Sequence, residues 1–162
     1  MDSEGYPEEK ELRMIRKWDV KDFPTLLQFV EERWTYHDFI KREVIKDKIL
    51  KKDYLQWTLI TGGWSGNESL VNALLGNQLF EMCWYYEWTR GGKHVFRIDP
   101  RNVGYFLVKD YCEQKGITRQ YISKAKNKFE YFKLSPNKIF IRPLAGGVIL
   151  NSKTSLNDAT KD

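Results

Sequence analysis

Hydrophobic positions recur at helical spacing from about Asp22 onward. Leu26, Leu27, Val30 and Trp34 share one face, and Pro24 stands in the first turn, where a missing N–H costs nothing. The pattern predicts a helix there. Phe39, Ile40, Val44, Ile45 and Ile49 repeat at similar spacing and predict a second helix, with the charged run 46–53 as its solvated end. Residues 55–61 then alternate, Trp57 and Leu59 standing between polar partners, which predicts a strand. A glycine-rich loop, 62–68, leads into helical spacing through Leu70, Val71, Leu74 and Leu75, which stops near Gly76-Asn77. Residues 79–88 read as a long aromatic strand, Thr89-Arg90-Gly91-Gly92 as a turn, and Lys93–Ile98 as the hairpin partner. The fold class this predicts is α+β, with N-terminal helices packed on a small β-α-β-β unit.

From 108 to 127 the pattern is that of two short helices around a tight turn. Gly116 supplies the turn, because glycine enters the left-handed region without steric cost. Thr118 follows as an N-cap. Cys112, four residues before the glycine, offers a small side chain where crossing helices approach, and Ile117, Ile122 and Ala125 are spaced to face the first helix. These residues resemble the helix-turn-helix family, whose second helix lies in the DNA major groove. A β-hairpin follows, 129–134 and 139–142 around the turn 135–138, in the order found in winged-helix proteins. The resemblance implies DNA contact by the exposed face of the second helix and its continuation: Arg119, Gln120, Ser123, Lys124, Lys126, Asn127 and Lys128. These are residue types that read base edges and phosphates. Lys138 and Arg142 would stand on the wing.

Charge strengthens that picture. The net charge of the 162 residues is +5, but residues 101–144 carry ten Lys/Arg against three acids, a net of +7, leaving the rest at −2. Concentrated basicity points to a polyanionic partner, which the resemblance implies is duplex DNA. The first eleven residues carry five acids against Lys10, with Gly5 and Pro7, and predict a disordered acidic tail over 1–11. The expected organisation is then an aromatic-rich α+β domain over 12–98, the helix-turn-helix with its wing over 99–150, and a flexible polar tail over 151–162. No apolar run is long enough to span a membrane and no secretory signal is visible, so a cytoplasmic protein without a membrane partner is expected.

Candidate chemistry outside the basic segment is sparse. The 62–68 loop joins strand to helix but has neither a phosphate-binding lysine nor a full dinucleotide fingerprint. Gly63-Trp64-Ser65-Gly66-Asn67 falls one glycine short of a nucleophile elbow, so Ser65 is read as a turn residue rather than a nucleophile. His37 and His94 lack ligand-spaced companions, which excludes a predicted zinc site, and no cofactor is expected. His94 is placed to meet Glu87 across the hairpin. Cys83 and Cys112 lie in apolar runs and read as buried free thiols. The chain is 15% aromatic, with six Trp, and Trp and Tyr gather where proteins meet partners. Trp64, Ser65, Asn67, Trp84, Trp88 and Arg90 form the candidate partner-binding set. As a whole the chain is similar in style to small proteins of bacterial viruses and mobile elements. That likeness implies a non-enzymatic regulator that binds nucleic acid, or an anti-CRISPR-like inhibitor that binds a host defence protein or its nucleic-acid complex.

Overall fold

The computed structural model describes residues 1–2, 4–135 and 137–144. The chain is α+β and divides into two units, Met1–Gly104 and Tyr105–Asp162. Pro136 of the wing turn, the 145–150 end of the second expected domain and the tail 151–162 lie outside the described residues.

The first unit runs α1 (Glu9–Arg16), α2 (Phe23–Glu31), β1 (Ile40–Lys46), β2 (Asp53–Ile60), α3 (Ser65–Leu75), α4 (Gln78–Trp84), β3 (Tyr85–Thr89) and β4 (Lys93–Ile98). Its sheet is antiparallel in the order β1-β2-β4-β3. Register sets the core. Trp57 lies opposite Phe96 and Leu55 opposite Ile98, so these pairs of the central strands share an apolar face. Phe80 of α4 meets Phe96 at 5.2 Å between ring centroids and Trp84 edge-on at 5.1 Å. Leu26, Leu27 and Val30 of α2 and Leu70 and Leu74 of α3 are fully buried. Each large side chain buried this way contributes about 1.5–3 kcal/mol. All six Trp belong to this unit.

Five expectations are corrected here. Residues 1–11 are not a loose tail throughout, because α1 starts at Glu9 and packs on α3. Glu11 is only 5% exposed and accepts from the Glu8 N–H at 2.8 Å, while pairing with the Met1 amino group at 2.9 Å and Arg33 Nε at 2.7 Å. The region 39–49 is built around strand β1, not a helix, and β1 pairs with β2 over its whole length. Residues 79–88 are not one strand. Asn77 caps α4 by accepting from the Phe80 N–H at 3.2 Å, and the chain becomes extended only at Tyr85. That helix leaves Cys83 exposed rather than buried, while Cys112 is buried as expected. His94 does not meet Glu87. It stands opposite Trp88, with the Tyr85 hydroxyl 3.4 Å from its Nδ1, and burial holds its pKa down against the pull of Glu68.

The Glu11 cluster gives a pH prediction. Burial alone would raise its pKa, but the Glu8 N–H, the amino terminus and Arg33 outweigh it and bring the carboxyl to about 2. A depressed acid stabilises the fold above its unfolded pKa and loses that contribution as pH falls through the folded value. Glu11→Gln should therefore lower the melting temperature at neutral pH, and the gap to the unaltered protein should shrink from about pH 4.5 to about pH 2. Melts across that window check it; a gap constant with pH would show that the ion pairs contribute nothing.

The second unit runs β5 (Phe106–Leu107), α5 (Val108–Lys115), α6 (Arg119–Lys124), β6 (Phe129–Ser135) and β7 (Lys138–Pro143). Its three strands are antiparallel in the order β5-β7-β6. Tyr111, Cys112, Ile122, Phe129 and Ile141 form a separate core, with Val108, Ile117 and Ala125 packed against it.

Candidate nucleic-acid interface

The turn between α5 and α6 is closed by backbone geometry. Gly116 sits at φ 63°, and its N–H and that of Ile117 return to the carbonyls of Glu113 and Cys112, the Schellman pattern that ends a helix on a left-handed residue. The Thr118 hydroxyl accepts from the Tyr121 N–H at 3.2 Å and starts α6. Ile122 is buried against Tyr111 and Phe129, which fixes which side of α6 turns outward. Burial pushes the Cys112 thiol up, Arg119 opposing.

The outward side holds the expected residues. Arg119, Gln120, Ser123, Lys124, Lys126, Asn127 and Lys128 are all exposed. Helix α6 is shorter than the pattern predicts. It ends at Lys124, and 126–128 form a single 3-10 turn, because Phe129 must enter β6 and bury its ring. Among the described residues, Arg119, Lys124, Lys126 and Lys128 have no ion-pair partner, so their charge is open to an anion. The two wing residues differ from them. Arg142 is engaged within the unit: its guanidinium pairs with Glu130 through Nη2 and, at 2.8 Å, through Nε, and lies over the Tyr105 ring. Glu130 also accepts from the Tyr105 hydroxyl at 3.2 Å. Lys138, at the start of β7, is half-buried.

A cavity of about 430 Å³ opens between α6 and the β6–β7 hairpin. Arg119, Ser123 and Lys126 line it from the helix side. Lys109, Tyr131, Asn137 and Ile139 line it too, and the residue pattern does not reveal them. The sequence signal for that group is the aromatic wing strand alone, since which side of the hairpin faces α6 depends on the register of Phe129 and Ile141.

The candidate partner set in the first unit is only partly at the surface. Asn67 and Trp84 leave it, being 0% and 2% exposed. Asn67 is a clamp instead: its amide donates to the carbonyls of Thr35 and Thr61 and accepts from the Thr35 N–H. Trp64 is half-buried and stacks on Tyr6 at 4.8 Å, and the Ser65 hydroxyl donates to the Tyr6 hydroxyl rather than to a base. Trp88 and Arg90 are exposed, and Leu79, Met82 and Tyr86 join them as exposed large apolar side chains that the pattern does not single out. Among the described residues no group of three or more His, Cys, Asp or Glu side chains is placed to hold a metal ion, and no helix is long and apolar enough to cross a membrane.

No protein-family model matches the chain, and comparison with curated proteins and with solved structures likewise gives no match.

Proposed function

We propose that the chain is a non-enzymatic nucleic-acid-binding protein that contacts duplex DNA through α6 and the turn after it. The observation that carries this reading is the row of cations and amides on the outer side of α6 and the turn after it, the cations without an ion-pair partner among the described residues, behind which Ile122 closes a core of its own. Arg119, Lys124, Lys126 and Lys128 neutralise phosphates; Gln120, Ser123 and Asn127 reach base edges or the sugar-phosphate backbone. Arg142 is held on Glu130 and orders the hairpin.

The test is a mobility shift on random duplex at two salt concentrations. Four phosphate contacts release enough counterions to weaken binding about 100-fold between roughly 50 and 200 mM salt. Affinity independent of salt would refute phosphate contact.

A second reading rests on a separate observation. Leu79, Met82, Tyr86 and Trp88 are between 52% and 81% exposed, an apolar group on α4 and β3 of the kind that meets other proteins. It supports an inhibitor of a host defence system, anti-CRISPR-like, that binds a host protein or its nucleic-acid complex. A pull-down that retains a protein after nuclease treatment favours this reading; loss of everything favours direct nucleic-acid binding.

A further inference from the structure

The cavity beside α6 has walls of two chemistries. Val108, Ile122, Ile139 and the ring of Tyr131 are apolar. The ring is held in place, since its hydroxyl donates to the Ile122 carbonyl at 3.1 Å. Three cations, Lys109, Arg119 and Lys126, stand among the lining residues, and among the described residues no carboxylate joins them in the lining. Lys109 does reach Glu113 at 3.9 Å, but both side chains are 68% exposed and such a contact holds little. Ser123 and Asn137 add a hydroxyl and an amide.

Each part selects a ligand property. A fixed aromatic wall facing aliphatic side chains takes a planar ring, by stacking and apolar contact. Surplus positive charge takes a multiply charged anion. A hydroxyl and an amide offer hydrogen bonds to a heteroaromatic edge. The volume lies within the range of small-ligand sites, about 300–1,000 Å³. A helix that merely lies on paired DNA leaves such a cavity empty.

We infer that this cavity receives one nucleotide unit, its base against Tyr131 and its phosphate on Lys109, Arg119 and Lys126. The inference rests on the nucleic-acid reading above and narrows it. The module prefers a strand that offers an unstacked base, at an end or extruded from the helix, because the unpairing cost has already been met there. A free nucleotide presents the same chemistry.

Calorimetric titration of the full chain tests this with three probes: the four nucleoside monophosphates, a fully paired duplex, and the same duplex carrying one unpaired adenine. Ile139→Trp fills the cavity from its rim, and the side chain is 38% exposed, so the fold tolerates the change. Tyr131→Leu removes the stacking wall by a second route, and circular dichroism confirms that each variant is folded. The expected result is binding of the unpaired-base duplex about tenfold tighter than the paired one, with that preference lost in both variants. Monophosphate binding lost in the same variants would assign the site to free nucleotides. Equal binding of the two duplexes with no monophosphate bound overturns the cavity inference and leaves duplex binding standing. A preference that survives both variants also overturns it. Monophosphate binding without any duplex binding upholds the cavity and refutes the DNA reading.

Discussion

Changing Lys124, Lys126 and Lys128 together to Glu should weaken duplex binding by about three orders of magnitude at low salt. Each lysine stands exposed without an ion-pair partner among the described residues, so its removal leaves nothing repaired within the fold. Each phosphate left without its cation costs about a factor of ten and lowers the salt slope by about one. The salt slope of the triple variant should therefore drop to about one, from the single cation left at Arg119. Far-UV circular dichroism and the melting temperature should stay unchanged, since none of the three touches the second unit's core. Gln120→Ala should behave differently, relaxing sequence preference by about 1–3 kcal/mol for the base edge no longer read. Unaltered duplex affinity in the triple variant would refute phosphate contact by these three lysines.

The largest stability effect should come from Phe96→Ala. This ring is fully buried and sits among Trp57 at 5.6 Å, Phe80 at 5.2 Å and Tyr85 at 5.5 Å, so its removal opens a hole that rigid rings cannot refill. The expected cost is about 3–5 kcal/mol, a large share of the total stability of an ordinary domain. Urea unfolding followed by tryptophan emission reads it directly, because every Trp lies in the same unit as Phe96. The midpoint should fall by more than about 1 M. Trp88→Ala, at a position 57% exposed, should cost under about 0.5 kcal/mol. Similar midpoints for the two variants would mean that the aromatic cluster is not the core of the unit.

Much of this architecture is legible in the residue pattern where local signals and tertiary packing agree. Pro24 marks the start of α2, the alternation around Trp57 marks β2, Gly91-Gly92 marks the β3–β4 turn, and Gly116 with Thr118 marks the turn into α6. The misread elements have physical causes. Ile40 and Val44 are four apart, a spacing that shares a face in a helix and in a strand alike, so they could not choose between the two. Pairing with Leu59 and Leu55 on β2 decides for the strand. At 79–88 the aromatic content suggests β structure, but Asn77 serves as the cap of α4, anchored by its amide on the carbonyls of Ile15 and Trp18, about sixty residues away in sequence. No local reading contains that contact. Likewise Glu11 looks like part of an acidic tail until Arg33, twenty-two residues on, is seen to hold it. At the interface the residue types on α6 are readable because helix periodicity fixes their side. Tyr131 and Ile139 are not, because a strand residue's face depends on which neighbour it pairs with.

The two cysteines divide between the units in opposite states. Cys83 lies exposed on the outside of α4, and Cys112 is buried with its thiol pushed up, which keeps it protonated and slow to react. The unaltered chain thus carries a single readily alkylated sulfur. A maleimide fluorophore would settle at one known position on the first unit, well defined in stoichiometry, and no engineered cysteine would be needed to follow the protein by polarisation or energy transfer.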